Sequence, residues 1–555
     1  MARWWAVVVA LIGVGFLLYP GSAPYLRWYV LAPISILGFP QATGEFVRRG
    51  TPEAPPLHWL EPCQARYPGD LAVQVGCFLF ATPNPFGEQE VALEKLDALQ
   101  RQFPQEPALY LMQIRYRIRN FNFVRAESLT RIGANPPPPR NPDPQLARQL
   151  LRLATEGERI DPQNGFFPAI RALVLYALER DDEALRALER AGNCPRWETY
   201  EAFFANALVA TYERCLGWRG AYPASTFYTV LIFPEMAQMR EMARTVAGLA
   251  LQAEQRGHLR QGVRLRMALA RLGALMRAES PTLIGSLVGI AITSIAGGSF
   301  QQNWQIPKPP PPDPAKWRQE RFLNALMRNG FQREAQWFRK EFERMKQAKA
   351  ISAKASDWLD TRILAPFAWL IAWHMLGMLL QGILLSMGVM WVWALLAARR
   401  LEGKWWLAPL FGVGVALLWA LSPAGTLVVS FGESLRGFAM FTDSAQVEAI
   451  LQRLPEELTA LRWLSFGGVA FVAVALPAVL ALIVWLLKPH AEPETSRSVA
   501  RMWGRIALFW LTLYVATLAW LWYRDRGLEQ AMLQSFSHEI RFYTQLSGEA
   551  WPGRE

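Results

Sequence analysis

Histidine and cysteine are scarce in this chain, with five His and four Cys among 555 residues. So few imidazoles leave little to carry acid–base or metal chemistry near neutral pH. No CxxC, CxxCH or Cys/His cluster occurs, which argues against structural zinc and c-type haem. The GxSxG, HExxH, P-loop and dinucleotide-binding glycine patterns are missing as well. No enzymatic activity, metal or cofactor is therefore expected. The paired acids Asp181-Asp182 and Glu456-Glu457 are accounted for by helix-start and turn positions. Runs of alternating β-branched residues are absent too, so the fold class reads as all-α. Lysine is rare, nine against 49 arginines, and the net charge is +12. Blocks of like charge are also missing, since arginine is interleaved with Glu and Asp along helical stretches. With no aromatic–basic platform beside it, this charge reads as solvated helix faces and not as a nucleic-acid surface.

Long apolar runs, by contrast, are present. Leu364–Ala398, Trp405–Leu421, Trp463–Leu487 and Ile506–Tyr523 are free of Asp, Glu, Lys and Arg. Each is long enough to cross a hydrocarbon core of about 30 Å. A fifth stretch, Trp4–Tyr19, follows Arg3 and is expected to be an uncleaved signal anchor within residues 1–23. The expectation is thus a transmembrane helix bundle of about five spans, four of them in residues 363–523. Mean hydropathy is only +0.09 although 52% of residues are hydrophobic, so a polar domain must dilute the membrane portion. The loops Arg399–Lys404 and Lys488–Arg505 are rich in basic residues, whereas the outer loop 422–461 holds only Arg436 and Arg453. The positive-inside rule then puts the N-terminus in the cytoplasm, and the polar middle and the tail 524–555 outside. This is the layout of a multi-pass protein of a bacterial-type inner membrane.

Inside the spans the chemistry is sparse. His374 is the only ionisable side chain well within one, setting aside Tyr514, and Gln381 lies two turns on along the same face. A helix–helix hydrogen bond worth around 1 kcal/mol or less is the expected role. A haem or chlorin ligand is the sharper alternative, which makes His374 the one candidate cofactor-binding residue. So little buried charge argues against an ion-coupled transporter.

Two proline-rich linkers, 136–144 and 304–314, divide the middle into 24–135, 145–303 and the juxtamembrane amphipathic helices 315–362. Between them apolar residues recur at spacings of three and four, as in Val91–Gln100, Leu146–Ala154 and Met242–Leu275. Ser280–Ile292 reads as a buried core helix that starts at the Ser280-Pro281 cap. Four units read helix, turn, helix: Tyr110–Arg119 with Phe123–Ile132, Ala169–Leu178 with Glu183–Ala191, Met242–Arg256 with Leu259–Leu275, and Arg321–Arg328 with Phe331–Met345. Asn120-Phe121-Asn122, Glu179–Asp182, Gly257-His258 and Asn329-Gly330 are the links. Small residues such as Ala126, Ala184 and Ala335 sit where the helices would cross. Over roughly residues 85–345 this resembles tetratricopeptide-type helical repeats, without the family's full pattern in any unit. The resemblance implies an α-solenoid with a concave protein-binding surface and no catalysis.

Cys63 and Cys77 flank the turn Tyr67-Pro68-Gly69-Asp70, so a Cys63–Cys77 disulfide is expected if two helices meet there. Cys194 and Cys215 bracket what reads as one continuous helix, which would keep them about 30 Å apart. The expected role is a membrane-anchored scaffold whose extracytoplasmic helical-repeat domain binds partner proteins of an envelope complex. The concave face and the loop 422–461 are its candidate contacts. The alternatives are an accessory subunit of an electron-transfer or photosynthetic complex and, after that, a membrane transporter or enzyme. The lipid bilayer is a partner on any of these readings, and nucleic acid is not.

Overall fold

Acid–proline pairs start several of the helices. Glu106, Asp143 and Asp313 each stand before a proline at the first helical position, and each side chain accepts a hydrogen bond from a first-turn N–H. Proline loses nothing there because that N–H has no intrahelical partner, and the acid satisfies one of the orphan donors. The two proline runs therefore end where Asp143-Pro144 and Asp313-Pro314 open new helices. The computed structural model describes residues 60–81, 89–129, 138–216, 233–304, 309–359 and 493–554, with Gly220, Pro307 and isolated positions between 363 and 392. Among them the secondary structure is helical and the only β-pairing is isolated bridges, so the chain is all-α.

The described helices are α1 (Leu60–Arg66), α2 (Leu71–Ala81), α3 (Gln89–Gln102), α4 (Pro107–Ile118), α5 (Pro144–Ile160), α6 (Phe166–Ala177), α7 (Asp181–Asn193) and α8 (Glu201–Leu216). They continue as α9 (Pro234–Gln255), α10 (Leu259–Glu279), α11 (Leu283–Ala296), α12 (Pro314–Arg328), α13 (Gln332–Leu359), α14 (Pro493–Ser537) and α15 (Glu539–Ser547). The chain forms two compact units. One takes residues 1–66, 212–221 and 364–529; the other takes 67–211, 222–363 and 530–555.

In the second unit consecutive helices pack on one another from α2 to α7. Helix α10 then joins α7, α9, α11 and α13, and α9 also reaches back to α4 and α6. Three hairpins fall where the sequence places them: α6–α7, α9–α10 and α12–α13. Gly257 and Gly330 turn the second and third with φ of +85°, a conformation open to glycine, and Glu179 takes φ +58° in the first. Ala184 and Ala335 are buried.

The first expected hairpin does not form. After α4 the chain runs 121–129 without a helix: Val124 bridges Arg140, and Leu129 N–H donates to Arg244 O at 3.1 Å. Arg125 explains the override, because its guanidinium reaches Tyr176 O, Asp181 and Glu127 at once. Such a fixed fork outweighs a helix propensity of a few tenths of a kcal/mol per residue. This segment presses on α9, where a Cβ at Gly248 would sit 1.7 Å from the Glu127 carbonyl oxygen. Gly248→Ala should thus cost about 1–3 kcal/mol through overpacking. An open helical site would instead gain about 0.5–1 kcal/mol from the same change. Thermal unfolding in detergent separates the two signs.

Two further differences concern helix bounds. The core helix expected from the Ser280-Pro281 cap begins at Leu283 instead, because Thr282 is the side chain that caps it, onto Gly285 N. It buries one face only, and Ile284 and Leu287 are exposed at 47% and 41%. The continuous helix expected between Cys194 and Cys215 is broken: α7 ends at Asn193, and α8 starts at Glu201 after a loop pinned by Asn164.

In the first unit, α14 is the one helix among the described residues that is long and apolar enough to cross a membrane, judged by length and composition. It contains the expected span Ile506–Tyr523, and Phe509 and Tyr523 on it are exposed at 62% and 70%. The expected spans Trp4–Tyr19, Trp405–Leu421 and Trp463–Leu487 lie outside the described residues, as does most of Leu364–Ala398.

Candidate functional site

Of the residues singled out by sequence, His374 lies outside the described residues, as do Gln381 and the outer loop 422–461. The cysteine pairing is corrected. Cys63 is bonded to Cys215, with their Cα atoms 5.5 Å apart, and Cys77 is buried outside that disulfide. Spacing around the 67–70 turn could not reveal that a residue 152 positions later returns to α1. Cys194 is buried and in no disulfide as well. Burial pushes the Cys77 thiol up to about 11 and Cys194 in the same direction, so neither has the thiolate character of a reactive cysteine.

The second unit instead concentrates its chemistry in arginines that sequence reasoning passed over. Arg266 and Arg277 stand eleven residues, three turns, apart and so share one face of α10. Both are wholly buried. Arg266 donates to both Glu254 oxygens, at 2.6 and 3.1 Å, and to Ala296 O and Ser299 Oγ. Arg277 takes Glu341 in the same two-pronged way, at 2.6 and 3.1 Å. Arg115 is shared between two carboxylates, Glu201 at 2.8 Å and Glu235 at 2.9 Å, beneath the Phe233 ring. Glu235 is fully buried and its Oε2 has no hydrogen-bond partner among the described residues. Burial holds its carboxyl above the usual range against the pull of Arg115.

The tail expected over 524–555 is not a free one. Helix α14 runs on to Ser537, α15 follows at once, and residues 548–554 are tied to the second unit. Glu539 N donates to Pro281 O, and its carboxylate accepts from Leu283 N at the start of α11, both at 2.7 Å. Pro552 O and Gly553 O take two further Arg277 donors, and Trp551 Nε1 donates to Arg277 O at 2.9 Å. Arg554 donates to Cys194 O at 2.6 Å and to Gly192 O.

This tail, with α7, α10 and α13, encloses a cleft of about 270 Å³. Arg271, Ala274, Trp337, Glu341, Arg344 and Arg554 are among its walls. The cleft lies on helices the sequence identifies, but no spacing links Arg554 to Arg271 or Trp337. The only sequence signal was arginine recurring on the apolar face of α10, where a solvated face has no use for it.

Family models, curated proteins and solved structures offer no match to this chain.

Proposed function

We propose that the protein is a membrane-anchored scaffold whose helical domain binds partner proteins of an envelope complex. The observation that supports this reading most is the array of consecutive helix hairpins in the second unit. Such an array offers an extended surface and, in the tetratricopeptide-like reading, a concave one. Its buried ion pairs are spent on joining helix to helix and helix to tail, an investment in shape and not in turnover.

Attachment of the tail also supports the topology. Residues 538–554 and the helices of 89–211 and 233–359 belong to one unit and so share one side of the membrane. On this reading α14 crosses once, and the three spans expected from sequence in 364–487 supply the odd number of earlier crossings that keeps the unit on one side, which makes a bundle of four spans, five with the expected N-terminal anchor. The basic residues of 399–404 and 488–505 support a helical domain outside the cytoplasm by the positive-inside rule. A Cys63–Cys215 disulfide fits an oxidising compartment.

The test is solubilisation from the native membrane in mild detergent, followed by native mass and a visible spectrum. A colourless particle with stoichiometric partner polypeptides is the expected result. A lone protomer overturns the scaffold. A coloured particle whose band is lost on His374→Leu replaces it with the electron-transfer subunit.

A further inference from the structure

We propose that residues 549–554 are the resident ligand of a peptide-binding site on the helical domain, and that a partner segment of the same chemistry binds there by displacing them. That chemistry is an extended stretch with an indole and, three residues on, a guanidinium. The partner is that of the scaffold reading, on which the proposal rests.

The chain changes character at Gly548. Its φ of +69° ends α15, with its N–H on Thr544 O at 3.0 Å, and no helix follows before residue 554. Residues 550–554 make no hydrogen bond from main chain to main chain among the described residues. Side chains reaching to backbone hold them instead, and they reach in both directions. Arg277 on α10 donates to Pro552 O and to Gly553 O, the latter at 3.2 Å, and accepts the Trp551 indole N–H on its own carbonyl at 2.9 Å. In return Arg554 donates to Cys194 O at 2.6 Å and to Gly192 O.

Both ends of the site suit a peptide. Arg277 is wholly buried, and the donors it does not spend on Glu341 meet main-chain carbonyls, which any residue can supply. That contact fixes an extended chain without selecting its sequence. Gly192 and Cys194 stand at the C-terminal end of α7, where helix carbonyls lack intrahelical partners and the dipole favours a cation. A guanidinium fork reaches both oxygens at once, so this end selects arginine over the point charge of lysine. Between them, Pro552 biases Trp551 toward extended backbone before any contact is made, which lowers the cost of ordering the segment. The occupant is also open to exchange. Gly553 is exposed, Trp551, Pro552 and Arg554 are only half-buried, and the Lys354–Glu549 pair that starts the segment faces solvent and so contributes little.

The test is fluorescence anisotropy of a dye-labelled peptide of residues 548–554, titrated with the full chain in non-ionic detergent. An attached ligand acts at an effective concentration on the order of millimolar, so the wild type should bind this peptide weakly. The Trp551→Ala/Arg554→Ala chain, whose own tail no longer competes, should bind it saturably and at least tenfold more tightly. A peptide carrying Arg554→Ala should bind that chain at least tenfold more weakly than the parent peptide. No saturable binding to a variant chain that melts cooperatively, equal binding to wild type and variant, or equal binding of the two peptides overturns the proposal. If the double variant does not melt cooperatively, Arg554→Ala alone takes its place in the same comparison. The titration involves no native partner, so an absent peptide site and an absent scaffold are separate results.

Discussion

Glu341→Ala should lower the stability of the second unit by about 3–5 kcal/mol, the cost of stranding one charge of a buried pair. Its partner Arg277 is wholly buried, and would keep only carbonyl oxygens for company. A carbonyl accepts a hydrogen bond but does not neutralise the cation, so the desolvation cost goes unanswered. Against a total of roughly 5–15 kcal/mol for a domain, the loss is large.

It should also be local before it is global. Arg277 is the common anchor of α13 and residues 552–553, and Trp551 binds its carbonyl, so its loss of Glu341 reaches the tail directly and leaves Arg554 and the Lys354–Glu549 pair to hold it. A loss of 3 kcal/mol corresponds to a rise of roughly a hundredfold in opening. Hydrogen exchange across residues 548–554 of Glu341→Ala in detergent should show it. The double variant Arg277→Met/Glu341→Leu should recover most of the stability, since a well-packed apolar pair is often neutral relative to the ion pair it replaces. A melting curve for Glu341→Ala matching the wild type, with unchanged exchange in the tail, would show that the pair is not what holds the tail.

How much of this was visible in sequence depends on the range of the interaction. The hairpins α6–α7, α9–α10 and α12–α13 were legible because turn residues such as Gly257 and Asn329-Gly330 act within three or four positions, beside apolar residues at helical spacing. The segment after α4 was not. Phe123–Ile132 has helical spacing, yet Arg125 is claimed by Asp181, 56 residues on, and by Tyr176 O. The disulfide failed for the same reason: the 67–70 turn is a local signal, and Cys215 is a distant competitor. The arginine cleft was beyond reach altogether. It takes one wall from α10, one from α13 and one from the last residues of the chain, 283 positions after Arg271 in sequence. Interleaved Arg and Glu read as a solvated face, and for Arg264–Glu189 that reading is right. Nothing in the pattern marks Arg266 and Arg277 as exceptions except their place among apolar neighbours.

Arg115→Met is expected to give a defect that depends on pH. Arg115 is the counter-charge of two buried carboxylates, Glu201 and Glu235, and Glu235 already keeps its proton more tightly than an exposed acid because burial outweighs the pull of the arginine. Removing the guanidinium takes away that pull and leaves the two acids facing each other. The Glu235 proton then becomes harder still to remove. A carboxyl whose pKa is raised on folding binds more protons folded than unfolded, so its stabilising contribution is present below the unfolded value, about 4.3. It is lost as pH rises through the folded value. The variant should therefore be destabilised by about 3–5 kcal/mol at pH 8 and recover as pH falls toward 5. Glu235→Gln in the same background should restore stability at pH 8 without any acid, because the amide needs no counter-charge. Alone, that substitution keeps an oxygen for Arg115 Nε and should stay within about 1 kcal/mol of wild type. Unfolding measured for the three variants between pH 5 and 8 decides the matter. If the Arg115→Met deficit is the same at every pH, the arginine contributes packing alone and Glu235 does not hold the proton assigned to it.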